Sequence, residues 1–226
     1  MVDAAKNRKS ALGEWKIRDQ YFSDVHMFTR IKTVAELQNL RQTYRALYYM
    51  KEKHQGQTRK AMKYSDAQLP YIVHPLMMAC HAMSMNLLDD ELLAATLLHD
   101  VCEDCGTAPE ELPVNEQTRE AVRLVTKPEN FGKTDPEYRT YYEGIAGNRI
   151  ALIVKLLDRC NNISSMATSF TDEHMAEYIK ETQEYIHPLM KRARDEYPEY
   201  SNQLFLIRYH MNSVLETVRH HMRAGV

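Results

Sequence analysis

Two stretches of this 226-residue chain are apolar at nearly every position, and most of the remainder alternates apolar and polar residues at helical spacing. The first is Leu92–Asp104, LLAATLLHDVCED, which runs through Leu, Ala and Val, meets His99 and Asp100, and then adds Glu103 and Asp104. The second is Arg149–Ala167, where Ile150, Ala151, Leu152, Ile153, Val154, Leu156 and Leu157 precede Asp158. Runs of this length and composition predict helices buried on most of their faces. Amphipathic helices are predicted around them. One covers about 34 to 54, with Leu37, Leu40, Tyr44, Leu47 and Tyr48 at three- and four-residue steps behind a Thr33–Glu36 capping pair. Another runs from 75 to about 86 with Leu76, Met77, Ala79, Cys80 and Met83 inward. Further helices are expected at Glu116–Thr126, Tyr138–Ala146, Thr171 to about Glu196 with a notch at Pro188, and Pro198 to about His221.

The punctuation agrees with this division. Asp89 and Asp90 suit the N-cap region of the first apolar helix, and Gly106 and Pro109 its end. PENFGKTDPE, 128–137, is the clearest loop. Pro70 and Pro75 constrain PYIVHP to an extended entry into a helix, with His74 at the helix start. With only 7 glycines and many Leu, Met, Ala, Glu, Lys and Arg, the composition favours helix over sheet. The expectation is a single all-α domain over 1–226, with an N-terminal arm at 1–33 carrying Trp15, Tyr21, Phe22 and Phe28, and C-terminal helices over 171–226.

A net charge of −2 gives no electrostatic case for nucleic acid or an anionic membrane, so neither is expected as a partner. No apolar run is long enough to span a bilayer and the charged N-terminus lacks a signal-peptide core, which makes the cytoplasm the expected location. Cys102 and Cys105 form a C-x-x-C without the strand context of a redox motif or the second pair of a zinc site, and are read as core.

The apolar helices end in groups that are costly to bury. His74, His99, Asp100 and Asp158 supply two imidazoles and two carboxylates from three helices. A lone buried His is more often a satisfied core residue than a ligand. Two apolar helices each carrying a buried acid shift the balance toward a site. Nitrogen and oxygen donors of this kind suit Mn²⁺, Fe²⁺ or Zn²⁺, and such an ion lowers the pKa of water and polarises a phosphoryl oxygen. Glu103, four residues after His99 and three after Asp100, is placed to handle the proton of that water, with Asp104 supporting it. Asn162 and Ser165 continue a polar stripe from Asp158 along the second helix. His81 also lies on the His74 face but is read as packing, as is His54; Arg59-Lys60, on pattern alone, is solvated surface.

HQGQTRK (54–60), PYIVHP (70–75), LLAATLLHDVCED (92–104), VTK (125–127) and KLLDRCNNISSM (155–166) follow one another over about 54 to 166. In that order they resemble the HD-domain metal-dependent phosphohydrolases, and within them the hydrolase domain of RelA/SpoT-type proteins and the small alarmone hydrolases. The resemblance implies an HD-type helical bundle. It implies His74, His99, Asp100 and Asp158 as ligands of a metal, usually manganese, and Glu103 and Asp104 as the catalytic acidic pair. It places Arg59 and Lys60 beside the nucleotide base, and Asn162 and Ser165 on the ribose and phosphate side. The implied reaction removes the 3′-pyrophosphate of guanosine 3′,5′-bis-pyrophosphate or its pentaphosphate relative, giving GDP or GTP and pyrophosphate. The chain length leaves no room for a synthetase domain, so a hydrolase-only protein is expected. The 61–69 segment, AMKYSDAQL, is longer than the family's usual turn and brings Lys63, Tyr64 and Asp66 near the base position. It keeps open another nucleotide phosphate, such as an adenine alarmone or NADPH 2′-phosphate; a non-catalytic nucleotide sensor is the other alternative. The terminal extensions leave room for a homo-oligomer.

Overall fold

Helix boundaries are set by capping groups, and the packing by where the apolar faces must meet. The computed structural model describes residues 23–59 and 68–224. Among them the structure is helical apart from connections and one isolated antiparallel bridge, Thr58–Pro70. Most of the N-terminal arm, Lys60 and the residues 61–67 lie outside the described residues.

α1 (Asp24–Leu37) begins at Ser23, whose side chain accepts the His26 backbone N–H. The predicted 34–54 helix is in fact two. Thr33 and Glu36 sit inside α1 rather than at a start, and Leu37 is 77% exposed. The break comes from Asn39, which takes the left-handed conformation (φ 55°) that asparagine tolerates better than most residues. Leu40 N then bonds Ala35 O at 2.8 Å and Asn39 N bonds Glu36 O at 3.4 Å, the pairing of a Schellman stop. α2 (Arg41–Lys53) has no capping side chain of its own; Asp90 supplies one from elsewhere, accepting from Gln42 N at 3.0 Å and Thr43 N at 2.8 Å.

α3 (Val73–Ser84) carries His74 and Pro75 in its first turn, as expected. Its buried face is Leu76, Met78, Ala79, Ala82 and Met83, so Met77 and Cys80 stand one step off the predicted inner side. α4 (Asp90–Leu98) is capped by Asp89, which accepts from Leu92 N at 2.9 Å, and buries every residue from Leu92 to Leu98. The predicted continuous helix to Asp104 is interrupted at His99–Asp100 and resumes as the short α5 (Val101–Cys105), which ends on Gly106 in the left-handed region (φ 61°). Gly106 suits that stop because a Cβ there would strain the backbone.

α6 (Glu116–Val125) and α7 (Asp135–Ala146) lead to α8 (Arg149–Ser169), capped by Asn148 through bonds to Ile150 N and Ala151 N, each 3.0 Å. α8 is the axis of the fold: α3, α4, α6 and α7 pack on it, and so do α10 (His187–Glu196) and α11 (Ser201–Ala224) from the C-terminal side. Between α9 (Asp172–Glu181) and α10 the backbone widens into a π-helical turn, Thr182–Ile186, immediately before Pro188. Proline removes an N–H and clashes with the carbonyl four residues back, so the helix is distorted where the notch was predicted. A cluster of buried apolar side chains extends from Met27 to Val218. No helix among the described residues is long and apolar enough to cross a membrane.

Candidate active site

The first turn of α3, the joint between α4 and α5, and the middle of α8 bring four side chains to one point. His99 Nε2 lies 2.9 Å from Asp100 Oδ2, and His74 Nε2 lies 3.3 Å from Asp158 Oδ1. The cross distances are 3.6 Å for His74–Asp100 and 3.9 Å for His99–Asp158. Donor atoms of His74, His99 and Asp100 all fall within 4.8 Å of one another. His74, His99 and Asp158 are buried, and Asp100 is partly open to a cavity.

The protonation of the two rings is set from behind. His74 Nδ1 bonds Asn161 Oδ1 at 2.7 Å and His99 Nδ1 bonds the Thr96 carbonyl at 2.9 Å. Both partners accept, so both Nδ1 atoms donate and both Nε2 lone pairs turn inward, where they meet at 3.2 Å. Two lone pairs and two carboxylates in one buried spot require a cation or a proton between them. Two imidazoles oriented by outer acceptors, with two carboxylates, form a donor set that fits a divalent metal. Where no metal intervenes, the cluster holds protons instead. Burial alone would keep His99 neutral, but Asp100, its hydrogen bond, Asp158 and the Thr96 carbonyl outweigh it and push the ring up to about 9.

The carboxylates are held in turn. Asp158 sits between Lys155 Nζ, 2.9 Å from Oδ2, and Asn162 Nδ2, 2.5 Å from Oδ1. Burial would raise its pKa, but Lys155 and the histidines keep it ionised, well below the ordinary carboxylate range. Asp100 is likewise held down by His99 and His74 against its own burial. Its Oδ2 accepts the Tyr71 hydroxyl at 2.5 Å, and the Asp104 carboxylate acts on the same phenol. Burial and these carboxylates keep the phenol protonated far above its ordinary pKa, so Tyr71 acts as a fixed donor.

A cavity of about 1290 Å³ opens over the cluster. Glu103 and Asp104 line it from α5 and are exposed. Glu103 Oε2 accepts the Lys127 backbone N–H at 3.2 Å, which ties α5 to the end of α6. On another wall, Arg59 is fixed by the chain ends around 60–67: Arg59 N bonds Leu69 O and Tyr71 N bonds Gln57 O, each 2.9 Å. Its Nη2 then reaches Asn162 Oδ1 at 3.2 Å. Ser165, one turn further along α8, lines the same cavity, its hydroxyl turned back to Asn161 O and Asn162 O at 3.4 Å each.

The structure therefore brings His74, His99, Asp100, Asp158, Glu103, Asp104, Arg59, Asn162 and Ser165 around one space, while Lys60 lies outside the described residues. His81 stands apart, its ring 5.9 Å from that of His210. His54 stacks on Tyr71 at 4.6 Å and bonds Gln57 at 2.7 Å, which makes it packing for the tyrosine. Tyr141 and Tyr142 are buried helix contacts, donating to Val125 O at 2.5 Å and Glu181 at 2.6 Å. Tyr71, Asn161, Lys155 and Lys127 carried no role in the sequence reading. A helical lysine and a tyrosine look like ordinary surface and packing residues until tertiary structure places them. Arg159 is fully buried over the Tyr178 ring (3.9 Å) and paired with Glu181, pinning α8 to α9.

No family model matches the chain. Among curated proteins, the guanosine-3′,5′-bis(diphosphate) 3′-pyrophosphohydrolase of Aquifex aeolicus is 32% identical over 163 residues, 69% of this chain and 22% of that protein. The protein of the same name from Vibrio cholerae is 29% identical over 183 residues, 74% of this chain and 24% of that protein. The chain thus spans less than a quarter of the length of these relatives. Among solved structures, a protein described as a metazoan ortholog of SpoT that hydrolyses ppGpp superposes with a TM-score of 0.60 at 21% identity, covering 78% of this chain and 95% of that one. The fold is shared with that protein, the sequence with the long bacterial ones, and the chain belongs with the HD domains of RelA/SpoT-type proteins.

Proposed function

We propose that this chain hydrolyses the 3′-pyrophosphate of guanosine 3′,5′-bis-pyrophosphate, or of its pentaphosphate relative, to GDP or GTP and pyrophosphate. The observation that carries the reading is the four-donor cluster His74–His99–Asp100–Asp158 under a cavity that has an acidic pair on one wall and Arg59 on another. The names of the curated relatives support the same substrate.

In this reading His74, His99, Asp100 and Asp158 hold a divalent metal, and manganese is the ion proposed, with iron or zinc as alternatives. When bound, it supplies an activated water and charge neutralisation at the phosphoryl group. The chain's own residues do the rest. Glu103, exposed at the cavity edge and held by the Lys127 N–H, accepts the proton of the attacking water, and Asp104 shares that role. Tyr71 keeps Asp100 in one orientation, and Lys155 with Asn162 keeps Asp158 in another. Arg59 stacks its guanidinium on the base, with Lys60 beside it, and Asn162 and Ser165 bond the ribose and its phosphate.

The test is a substrate panel with the manganese-loaded protein. Release of pyrophosphate from guanosine 3′,5′-bis-pyrophosphate, lost in Asp100→Ala and Asp158→Ala together with bound metal, is the expected result. No release from that nucleotide, with turnover of an adenine analogue or NADPH instead, would move the substrate and leave the metal site standing.

A further inference from the structure

Lys127 lines the cavity at the end of α6, and its ammonium has no carboxylate ion pair among the described residues. It is half-buried and lies over the faces of Phe131 (5.7 Å) and Tyr141 (6.0 Å). Burial and then Lys155 lower its pKa, with Glu181 and Glu103 opposing. Glu181 is already held by Arg159, and Glu103 accepts from the Lys127 backbone rather than from its ammonium. An ammonium withdrawn from water without an anion is costly, and a ligand anion would remove that cost.

The surroundings give this corner a direction. Lys155 Nζ lies 5.7 Å from the same Tyr141 ring, so two ammonium groups share one aromatic neighbour. Lys155 bonds Asp158 Oδ2, whereas Asn162, and Arg59 through it, stand at Oδ1. Within the cavity wall Asp158 is thus flanked at one oxygen by Lys155, which shares the buried Tyr141 ring with Lys127, and at the other by Asn162 and, through it, Arg59.

We propose that Lys127, backed by Lys155, is a diphosphate subsite: it takes the pyrophosphate group of a nucleoside polyphosphate while Arg59 and Asn162 hold the nucleoside end. The substrate then lies along α8 with the reacting phosphorus over the four-donor cluster, and the product pyrophosphate rests at Lys127 before it leaves. This orientation builds on the hydrolase reading above, but the subsite is tested by binding alone.

The experiment is calorimetric titration of the full chain, with and without manganese, with inorganic pyrophosphate and separately with GDP. Lys127→Met keeps the stem against Phe131 and Tyr141. It is expected to raise the Kd for pyrophosphate about tenfold and leave the Kd for GDP within about twofold. Lys127→Arg should restore most of the pyrophosphate affinity, and Arg59→Ala should show the converse pattern. An unchanged pyrophosphate Kd in Lys127→Met, equal weakening of both ligands, or no pyrophosphate binding by the unaltered protein at millimolar concentration overturns the subsite. Selective loss in a protein that does not cleave guanosine 3′,5′-bis-pyrophosphate would sink the substrate reading and keep the subsite. Intact pyrophosphate binding in a variant of an active hydrolase would do the reverse.

Discussion

His99 answers to two opposed demands, and the outcome can be measured. Burial favours the neutral ring, while Asp100, Asp158 and the Thr96 carbonyl push its pKa from 6.5 up to about 9. A folded-state pKa above the unfolded value means that the native protein binds the extra proton between the two. In a chelator, that contribution to stability is full below about pH 6.5 and is lost as the pH rises through about 9; at most it is about 3 kcal/mol. A metal at Nε2 must displace the proton, so manganese affinity should climb across the same interval. Thermal melts in chelator and in manganese from pH 6 to 10 check both trends. A metal-free stability that does not fall toward pH 9 would take the proton off His99. Glu103 has a different expected signature. Glu103→Gln should lower kcat about a hundredfold or more while manganese stoichiometry is unchanged, and equal loss of both would make it a ligand. His74, His99, Asp100 and Asp158 were legible because buried charge is expensive wherever it occurs. Tyr71, Asn161 and Lys155 were not, since each acts only through the residue it touches.

At the scale of elements, apolar periodicity located the helices and capping decided where they stop. The second apolar helix lies where it was predicted and the first does so as far as Leu98, because continuous Leu, Ile, Val and Ala cannot face water on any side. The breaks at Asn39 and at His99–Asp100 were missed for different reasons. Leu37 and Leu40 kept the helical spacing across the Asn39 stop, and nothing in the run to Asp104 marks a joint in the backbone. That second interruption matters to the site, since His99 and Asp100 stand at it and both reach the same cluster. The start of α2 depends on another element entirely. Asp90 accepts from Gln42 N, Thr43 N and the Thr43 hydroxyl, so the carboxylate of the first residue of α4 caps α2. Asp90→Ala should cost about 2–3 kcal/mol in urea unfolding, the sum of a lost cap and stranded buried donors. A change below about 0.5 kcal/mol would mean that water replaces the carboxylate at no cost.

Over the whole molecule, the cavity joins parts of the chain that are far apart in sequence. The four clustered side chains come from α3, the α4–α5 joint and α8, Glu103 and Asp104 from α5, and Arg59 from a loop whose backbone bonds include Arg59 to Leu69 and Gln57 to Tyr71. Arg59 reaches α8 through a single hydrogen bond, to Asn162, and Asn162 bonds Asp158. A residue joined to the cluster at one remove can affect ligand binding without setting the chemistry. Removing it should therefore weaken ground-state and transition-state binding alike. Arg59→Ala is expected to raise KM about tenfold, the value of roughly 1.4 kcal/mol for a partly desolvated guanidinium on a ring, with kcat within about threefold. Steady-state kinetics on guanosine 3′,5′-bis-pyrophosphate separate the cases. An unchanged KM would remove Arg59 from the base. A fall in kcat matching the fall in kcat/KM would mean that the Arg59–Asn162 bond positions Asp158 for the reaction, so that this wall belongs to the metal cluster rather than to the nucleoside.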